Sequence, residues 1–332
     1  MKISIIGAGS FGTAMAAVAS RCGNEVMLWA HDPVVAMEIE QTRRNPIYLQ
    51  SVALNDSVRA TSSLAEASDF SDLQFMIVPS HHYRGVLAQM RPHLRRGVAV
   101  VSGTKGIEND TLQRMSEVTA LELGDALRAF AVLSGPTFAL ETARGDPTAA
   151  VVASHDLALA EEVQHAMSSP TFRLYHSSDV AGVELAGSLK NVIAIAAGVI
   201  EGLGLGSNTT AALITRGLHE MTKLAVALGG RLETLAGLAG MGDLVLTCTG
   251  SLSRNRSVGV ALGKGKPLAE ILAESRTVAE GVRTSKAAKE LADRRGIEMP
   301  IIAEMYRVLH EDESPRSALQ RLMTRSLKAE AG

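Results

Sequence analysis

The chain has 332 residues, of which 46% are hydrophobic, 20% charged and only 3% aromatic, with a formal net charge of -2. This profile belongs to ordinary soluble globular proteins, and the length suits two folding units. Scarce aromatics and scattered basic residues exclude a nucleic-acid surface. The two cysteines, Cys22 and Cys248, lie far apart without metal-ligand spacing, so neither a disulfide framework nor a bound metal is expected.

The chain opens on an apolar strand, Ile3-Ser4-Ile5-Ile6, which runs into Gly7-Ala8-Gly9-Ser10-Phe11-Gly12 and then into a helical stretch over 13–19. In such a strand, glycine turn and helix, the first glycine permits the tight turn. The second lets a pyrophosphate approach bare backbone, and the third lets helix and strand pack closely. The helix N-terminus then offers unpaired N–H groups to an anion. A dinucleotide site is predicted. No basic leader precedes the strand, which predicts a cytoplasmic protein. A second strand at 25–29 leads into Ala30-His31-Asp32-Pro33. Asp32 could bind the adenosine ribose or merely start a turn, and His31, when protonated, could meet a 2′-phosphate.

Further buried strands are expected at 75–78, 98–101 and 149–152, separated by helical patterns at 64–67, 83–90 and 112–123. Strands alternating with helices imply parallel pairing with helices on both faces. Residues 1–180 therefore read as a Rossmann-like doubly wound α/β domain. Beyond residue 180 the strand signal disappears, and helices are expected over 183–202, 209–228, 231–238, 257–262, 282–296 and 301–309. A final helix of mixed charge follows Pro315, and residues 181–332 read as an all-helical domain. The stretch 183–200 is apolar but interrupted by Glu184, Ser188, Lys190 and Asn191, so it reads as a buried helix and not a membrane span.

Several polar residues stand where a plain fold would not need them. Lys105, in Ser102-Gly103-Thr104-Lys105-Gly106, follows a strand and could meet an anion at the carboxyl edge of the sheet, or simply be a solvated loop lysine. Gly135-Pro136-Thr137 follows the apolar run 130–133 and presents backbone and hydroxyl groups in a tight turn. Lys190, flanked by Leu189, Val192 and Ile193, must snorkel, pair with a buried carboxylate, or occupy a polar pocket where burial makes it a usable proton donor and acceptor. Asp243, in Gly242-Asp243-Leu244, could cap a helix or hold a lysine ammonium. Ser253-Arg254-Asn255-Arg256 suits forked phosphate recognition at a helix start, or is a solvated one. Glu280 near a turn has no meaning alone.

Taken together, Gly7-Ala8-Gly9-Ser10-Phe11-Gly12, Thr104-Lys105-Gly106, Ser134-Gly135-Pro136-Thr137-Phe138-Ala139, Leu189-Lys190-Asn191, Gly242-Asp243-Leu244 and Ser253-Arg254-Asn255-Arg256, with the Ala211–Gly217 helix, closely resemble bacterial NAD(P)-dependent glycerol-3-phosphate dehydrogenase. The resemblance runs in order along nearly the whole chain. It implies reversible reduction of dihydroxyacetone phosphate to sn-glycerol 3-phosphate, feeding phospholipid synthesis, with NAD(H) or NADP(H) as coenzyme and a homodimer as the assembly. By match to the family's motifs, Lys190 is the proton donor and acceptor, and Lys105, Gly135, Thr137, Asp243, Ser253, Arg254 and Asn255 surround the substrate. Gly7, Gly9, Ser10, Phe11, Gly12, His31, Tyr48, Lys105, Ala139, Arg254, Val278 and Glu280 line the coenzyme site. His31 departs from the family pattern, in which many members carry arginine, so strong NADPH preference does not follow. Two alternatives keep the same architecture: reduction of a 3-hydroxy acid's ketone, and a coenzyme-binding sensor without turnover.

Overall fold

A computed structural model describes residues 1–274, 279–327 and 329–330. Its strands are β1 (Lys2–Ile6), β2 (Glu25–Trp29), β3 (Val58–Thr61), β4 (Leu73–Met76), β5 (Val98–Ser102), β6 (Leu127–Ser134), β7 (Thr148–Ser154) and β8 (Phe172–Ser177). They form one sheet in the order β3-β2-β1-β4-β5-β6-β7-β8. Successive β1 side chains serve opposite faces. Ile3 and Ile5 join one core, and Ile6 joins Met76 and Leu87 in the other. A strand buried on both sides reads as a continuous apolar run, which is why β1 and β5 stand out in the sequence.

Helices α1 (Ser10–Arg21), α2 (Pro33–Thr42), α3 (Leu64–Phe70), α4 (Ser80–Met90), α5 (Met115–Leu123), α6 (Ala139–Arg144) and α7 (Leu157–Met167) connect the strands. Met15 and Val18 of α1 and Leu159 and Val163 of α7 cover one face, while Tyr83 and Leu87 of α4 and Val118 of α5 cover the other. The order reverses between β1 and β4, so the switch-point crevice lies past their carboxyl ends.

Several sequence expectations need correction. Pairing is not parallel throughout: β6 and β7 are antiparallel, because their connection, which includes the short α6, turns back at the same edge of the sheet. Strands β3 and β8 were not expected, since Val58-Arg59-Ala60-Thr61 is short and β8 alternates buried with exposed residues, leaving no apolar run. The helix expected from 112 begins only at Met115, because Leu112 takes a left-handed backbone (φ 59) that ends helical continuity. The strand expected to reach Val78 ends at Met76, where the chain leaves for Pro79.

The remaining helices are α8 (Val180–Gly202), α9 (Ser207–Ala227), α10 (Leu232–Ala236), α11 (Asp243–Thr249), α12 (Arg254–Gly263), α13 (Leu268–Glu274), α14 (Glu280–Arg294), α15 (Pro300–His310) and α16 (Pro315–Met323). A π-helical turn, Leu238–Gly242, leads into α11 and shortens the helix expected over 231–238. Helix α12 starts at Arg254, ahead of the expected residue 257, because Ser253 caps it by accepting Arg256 N–H at 3.2 Å. Helix α8 is long and apolar enough to cross a membrane, yet its apolar window is wholly buried inside the protein. On it packs α12, through glycines: a methyl group on Gly198 would overlap Arg256 O, and one on Gly259 would overlap Ile195 O. The helical half docks on the sheet where Val180, Val183 and Ala239 meet Val132 and Ala153.

Candidate active site

The glycine turn is built as its pattern requires. Gly7 has φ +122, and a Cβ there would overlap Ile77 O; a Cβ on Gly12 would overlap Gly7 O. Around Gly9 nothing lies within 4 Å of such a carbon, so the open side of the turn is at the middle glycine. Helix α1 begins at Ser10, and its first intrahelical bond is Thr13 N–H to Gly9 O at 2.9 Å. The N–H groups of Ser10, Phe11 and Gly12 precede that bond and remain available to a pyrophosphate. Phe11 lies against Gly103 at the end of β5. Buried Asn45 donates from Nδ2 to Ala8 O and Thr13 Oγ1, both at 2.9 Å, while its Oδ1 accepts Tyr48 N–H at 2.9 Å. The Tyr48 turn is thereby tied to the glycine loop. These features fit a dinucleotide.

After β2, His31 is exposed, with its ring edge-on to Trp29 at 5.8 Å. Asp32 caps α2 by accepting Val34 N–H at 2.9 Å, which is the turn role. Ala139 opens α6 at the same edge of the sheet.

The chemistry-bearing cluster lies between the halves. Lys105, just past β5, donates to Asp243 Oδ2 at 2.7 Å and to Gly135 O at 3.4 Å. Lys190, from mid-α8, donates to Asp243 Oδ1 at 2.5 Å and to Thr247 Oγ1 at 2.7 Å. One carboxylate thus holds two ammonium groups, one from each half. Asp243 is 1% exposed and Lys190 6%. Burial pushes the Lys190 ammonium down to about 7; Asp243 opposes that shift and the Lys105 charge adds to it. Burial also works against the Asp243 carboxylate, but Lys105 and Lys190 outweigh it and hold the carboxyl below its ordinary value. Gly135, at φ +146, packs so close to Ala150 that a side chain would not fit, and Thr137 Oγ1 donates to Gly135 O at 3.1 Å. Gly187 of α8 faces Ser134 and the Lys105 stem, which lets the helix approach this edge.

A chain of amides leads onward. Asn255 Nδ2 donates to Asn191 Oδ1 at 3.0 Å, and Asn255 Oδ1 accepts Gly281 N–H at 3.0 Å. Neighbouring Glu280 accepts Ser80 N–H at 2.9 Å and Ser80 Oγ–H at 2.6 Å, beside the β4 end of the switch point. Arg254 is exposed on the first turn of α12, and Ser253 is buried beneath it. Val278 lies outside the described residues.

A Rossmann-like sheet, a glycine cradle and a buried lysine-aspartate-lysine cluster thus stand together at one edge of the sheet, and comparison with known proteins identifies the family. Residues 2–160 match the family model for the NAD-dependent glycerol-3-phosphate dehydrogenase N-terminus, and residues 179–320 match that for its C-terminus. The chain belongs to the NAD-dependent glycerol-3-phosphate dehydrogenase family. It is 53% identical over 330 residues to a protein of Geobacter sulfurreducens named glycerol-3-phosphate dehydrogenase (NAD(P)+), covering 99% of this chain and 98% of that one. A protein of the same name from Koribacter versatilis is 51% identical, covering 98% and 97%. The crystal structure of glycerol-3-phosphate dehydrogenase from Coxiella burnetii superposes with a TM-score of 0.94 at 40% identity, covering 98% of this chain and 99% of that one. As a glycerol-3-phosphate dehydrogenase, the protein is an oxidoreductase that uses NAD(P). Membership in this family decides against the 3-hydroxy acid and sensor alternatives.

Of the residues singled out in the sequence, Lys105, Gly135, Lys190 and Asp243 meet directly, and Asn255 bonds Asn191, next in sequence to Lys190. His31 stands apart at the β2 end. Five partners were not singled out in the sequence. Thr247 lies one turn after Asp243, a spacing that places both on one helix face. Ser134 and Asn191 stood inside the quoted motifs without a role, and Ser80 and Asn45 carry no local pattern at all.

Proposed function

We propose that this chain reduces dihydroxyacetone phosphate to sn-glycerol 3-phosphate, with Lys190 as the general acid, and runs the reverse oxidation with Lys190 as the base. The observation that carries the proposal is the sharing of Asp243 by Lys190 and Lys105 at the carboxyl edge of the sheet. When bound at the glycine cradle, the reduced coenzyme supplies a hydride to the ketone carbon. Lys190, as ammonium, donates a proton to the oxygen as its negative charge develops, a charge absent from the ground state. Asp243 and Thr247 fix the ammonium's direction. Lys105 presents a second cation to the substrate's oxygens, and Gly135 and Thr137 wall the site from the β6 side. Arg254 and the free N–H groups of the first turn of α12, with Ser253 and Asn255, grip the phosphate, so binding energy remote from the reaction orients the carbonyl.

Ser10, Phe11, His31, Tyr48, Ala139 and Glu280 are assigned to the coenzyme, together with Lys105, Arg254 and the three glycines of the cradle. We further propose a division near residue 180 into a coenzyme-binding and a substrate-binding domain, a cytoplasmic homodimer, and a physiological role in supplying the phospholipid backbone. The test is oxidation of NADH and NADPH, in parallel, with dihydroxyacetone phosphate and with the unphosphorylated ketone. Turnover that requires the phosphate and collapses in Lys190→Ala supports the assignment. Equal use of the unphosphorylated ketone removes the phosphate grip, and near-normal turnover of Lys190→Ala removes the acid.

A further inference from the structure

The two halves are joined at a pair of matching contacts outside the reacting cluster. Buried Glu184, on α8, accepts Ser116 N–H at 2.8 Å and Ser116 Oγ–H at 2.6 Å, with Arg114 Nη1 at 3.3 Å. Glu280, at the start of α14, takes the N–H and hydroxyl of Ser80 in the same way, at 2.9 and 2.6 Å. Ser116 lies in the first turn of α5 and Ser80 in the first turn of α4. These two helices lie side by side on one face of the sheet, joined by Tyr83 Oη and Thr119 Oγ1 at 2.9 Å. Each contact therefore sets a carboxylate of the helical half on the positive end of a helix of the sheet half.

We propose that Ser116 and Ser80, acting through Glu184 and Glu280, are positioning residues that set the helical half, carrying Lys190, against the sheet half, carrying the coenzyme cradle and Lys105. Glu184 stands fewer than two turns before Lys190 on the same helix. Glu280 adjoins Gly281, whose N–H reaches Asn255 and through it Asn191, next in sequence to Lys190. Both contacts thus connect to the turn that carries the acid by short, stiff paths. Hydride and proton come from opposite halves, so a small error in their mutual orientation slows hydride transfer. The inference rests on the acid assignment for Lys190.

The experiment uses full-length Ser116→Ala, Ser80→Ala and the double variant, which keep the backbone N–H bonds and so preserve folding better than Glu184→Gln. Single-turnover oxidation of NADH by saturating dihydroxyacetone phosphate, with and without deuterium at the transferred position, reads hydride transfer directly. The expected result is a loss of about tenfold in the double variant, equivalent to about 1.4 kcal/mol of barrier. The isotope effect should persist, both Kd values should stay within about twofold in Ser116→Ala, whose partner Glu184 is assigned to neither ligand, and Ser→Thr should restore the rate. Unchanged single-turnover rates with only a lower Tm would make the contacts purely structural and overturn the proposal, as would a loss confined to Kd. If Lys190→Ala retains turnover, the acid assignment and this inference fail together, whereas normal single-turnover rates in the serine variants beside an inactive Lys190→Ala overturn this inference alone.

Discussion

Replacing Asp243 with Asn keeps the side chain's size and removes the one negative charge that two ammonium groups share. Its oxygens lie 2.5 Å from Lys190 Nζ and 2.7 Å from Lys105 Nζ. Removing one partner of a buried ion pair costs about 3–5 kcal/mol. A buried lysine escapes part of that cost by releasing its proton. If about 3 kcal/mol falls on Lys190, its pKa drops by about two units from about 7. The sign follows from the charge: Asp243 favours the ammonium, so without it the proton leaves at lower pH. Ketone reduction needs the ammonium, and the alkaline limb of its kcat profile should therefore move down. At pH 7 the competent fraction should fall from about one half to about one part in a hundred. The assay is kcat for dihydroxyacetone phosphate reduction over roughly pH 5 to 9 at saturating coenzyme, with circular dichroism to verify folding. An alkaline limb that stays in place, or moves up, refutes the electrostatic account of the cluster.

Lys105→Met should shift the same limb the opposite way, because the Lys105 charge depresses Lys190; a downward shift in the pH profile would contradict this. Lys190→Ala should lower kcat by at least about a hundredfold, and Arg254→Ala should chiefly raise the KM for the phosphorylated ketone, both read in steady-state kinetics. Gly12→Ala should prevent stable folding, since its Cβ has no room, whereas Gly9→Ala should fold and bind coenzyme more weakly by fluorescence titration. Burial raises both Glu184 and Glu220 to about 7 in the folded protein. Around Glu184 stand Arg114 and Glu117, and around Glu220 stand Arg216 and Arg325. Native protein then holds more protons than unfolded chain between about pH 4.5 and 7, so stability should be highest below that window and fall as pH rises through it. Denaturant unfolding of Glu220→Gln should show a flatter dependence, and an unchanged slope would count against it.

What the sequence disclosed followed its local signals. The cradle was legible because strand, glycines and helix are contiguous, and the role of each glycine could be argued from position alone. Lys190 was legible because a cation amid Leu189, Val192 and Ile193 conflicts with its surroundings. Of its three offered explanations, snorkelling is not what the fold uses, and the other two, a carboxylate partner and a polar pocket, describe one arrangement around Asp243. The antiparallel β6 and β7 were not legible, since a short connection that turns back at one edge leaves no mark on the apolar periodicity of either strand. Nor was β8, whose exposed alternate residues dilute its pattern. Thr247, Ser80 and Asn45 act across 57, 200 and 37 residues of chain, and only folding brings them to their partners.

The glycine seam between α8 and α12 turns the site into a gauge of length. Backbone rests on backbone there, so no side chain can flex to adjust the spacing between Lys190 on one helix and the first turn of the other, where Arg254 stands. On the proposed assignment, those two points mark the span from ketone to phosphate. Selectivity among phosphorylated ketones of different length would then reside in main-chain geometry, beyond the reach of substitutions around the pocket wall. A single methyl group placed in the seam would reset the scale.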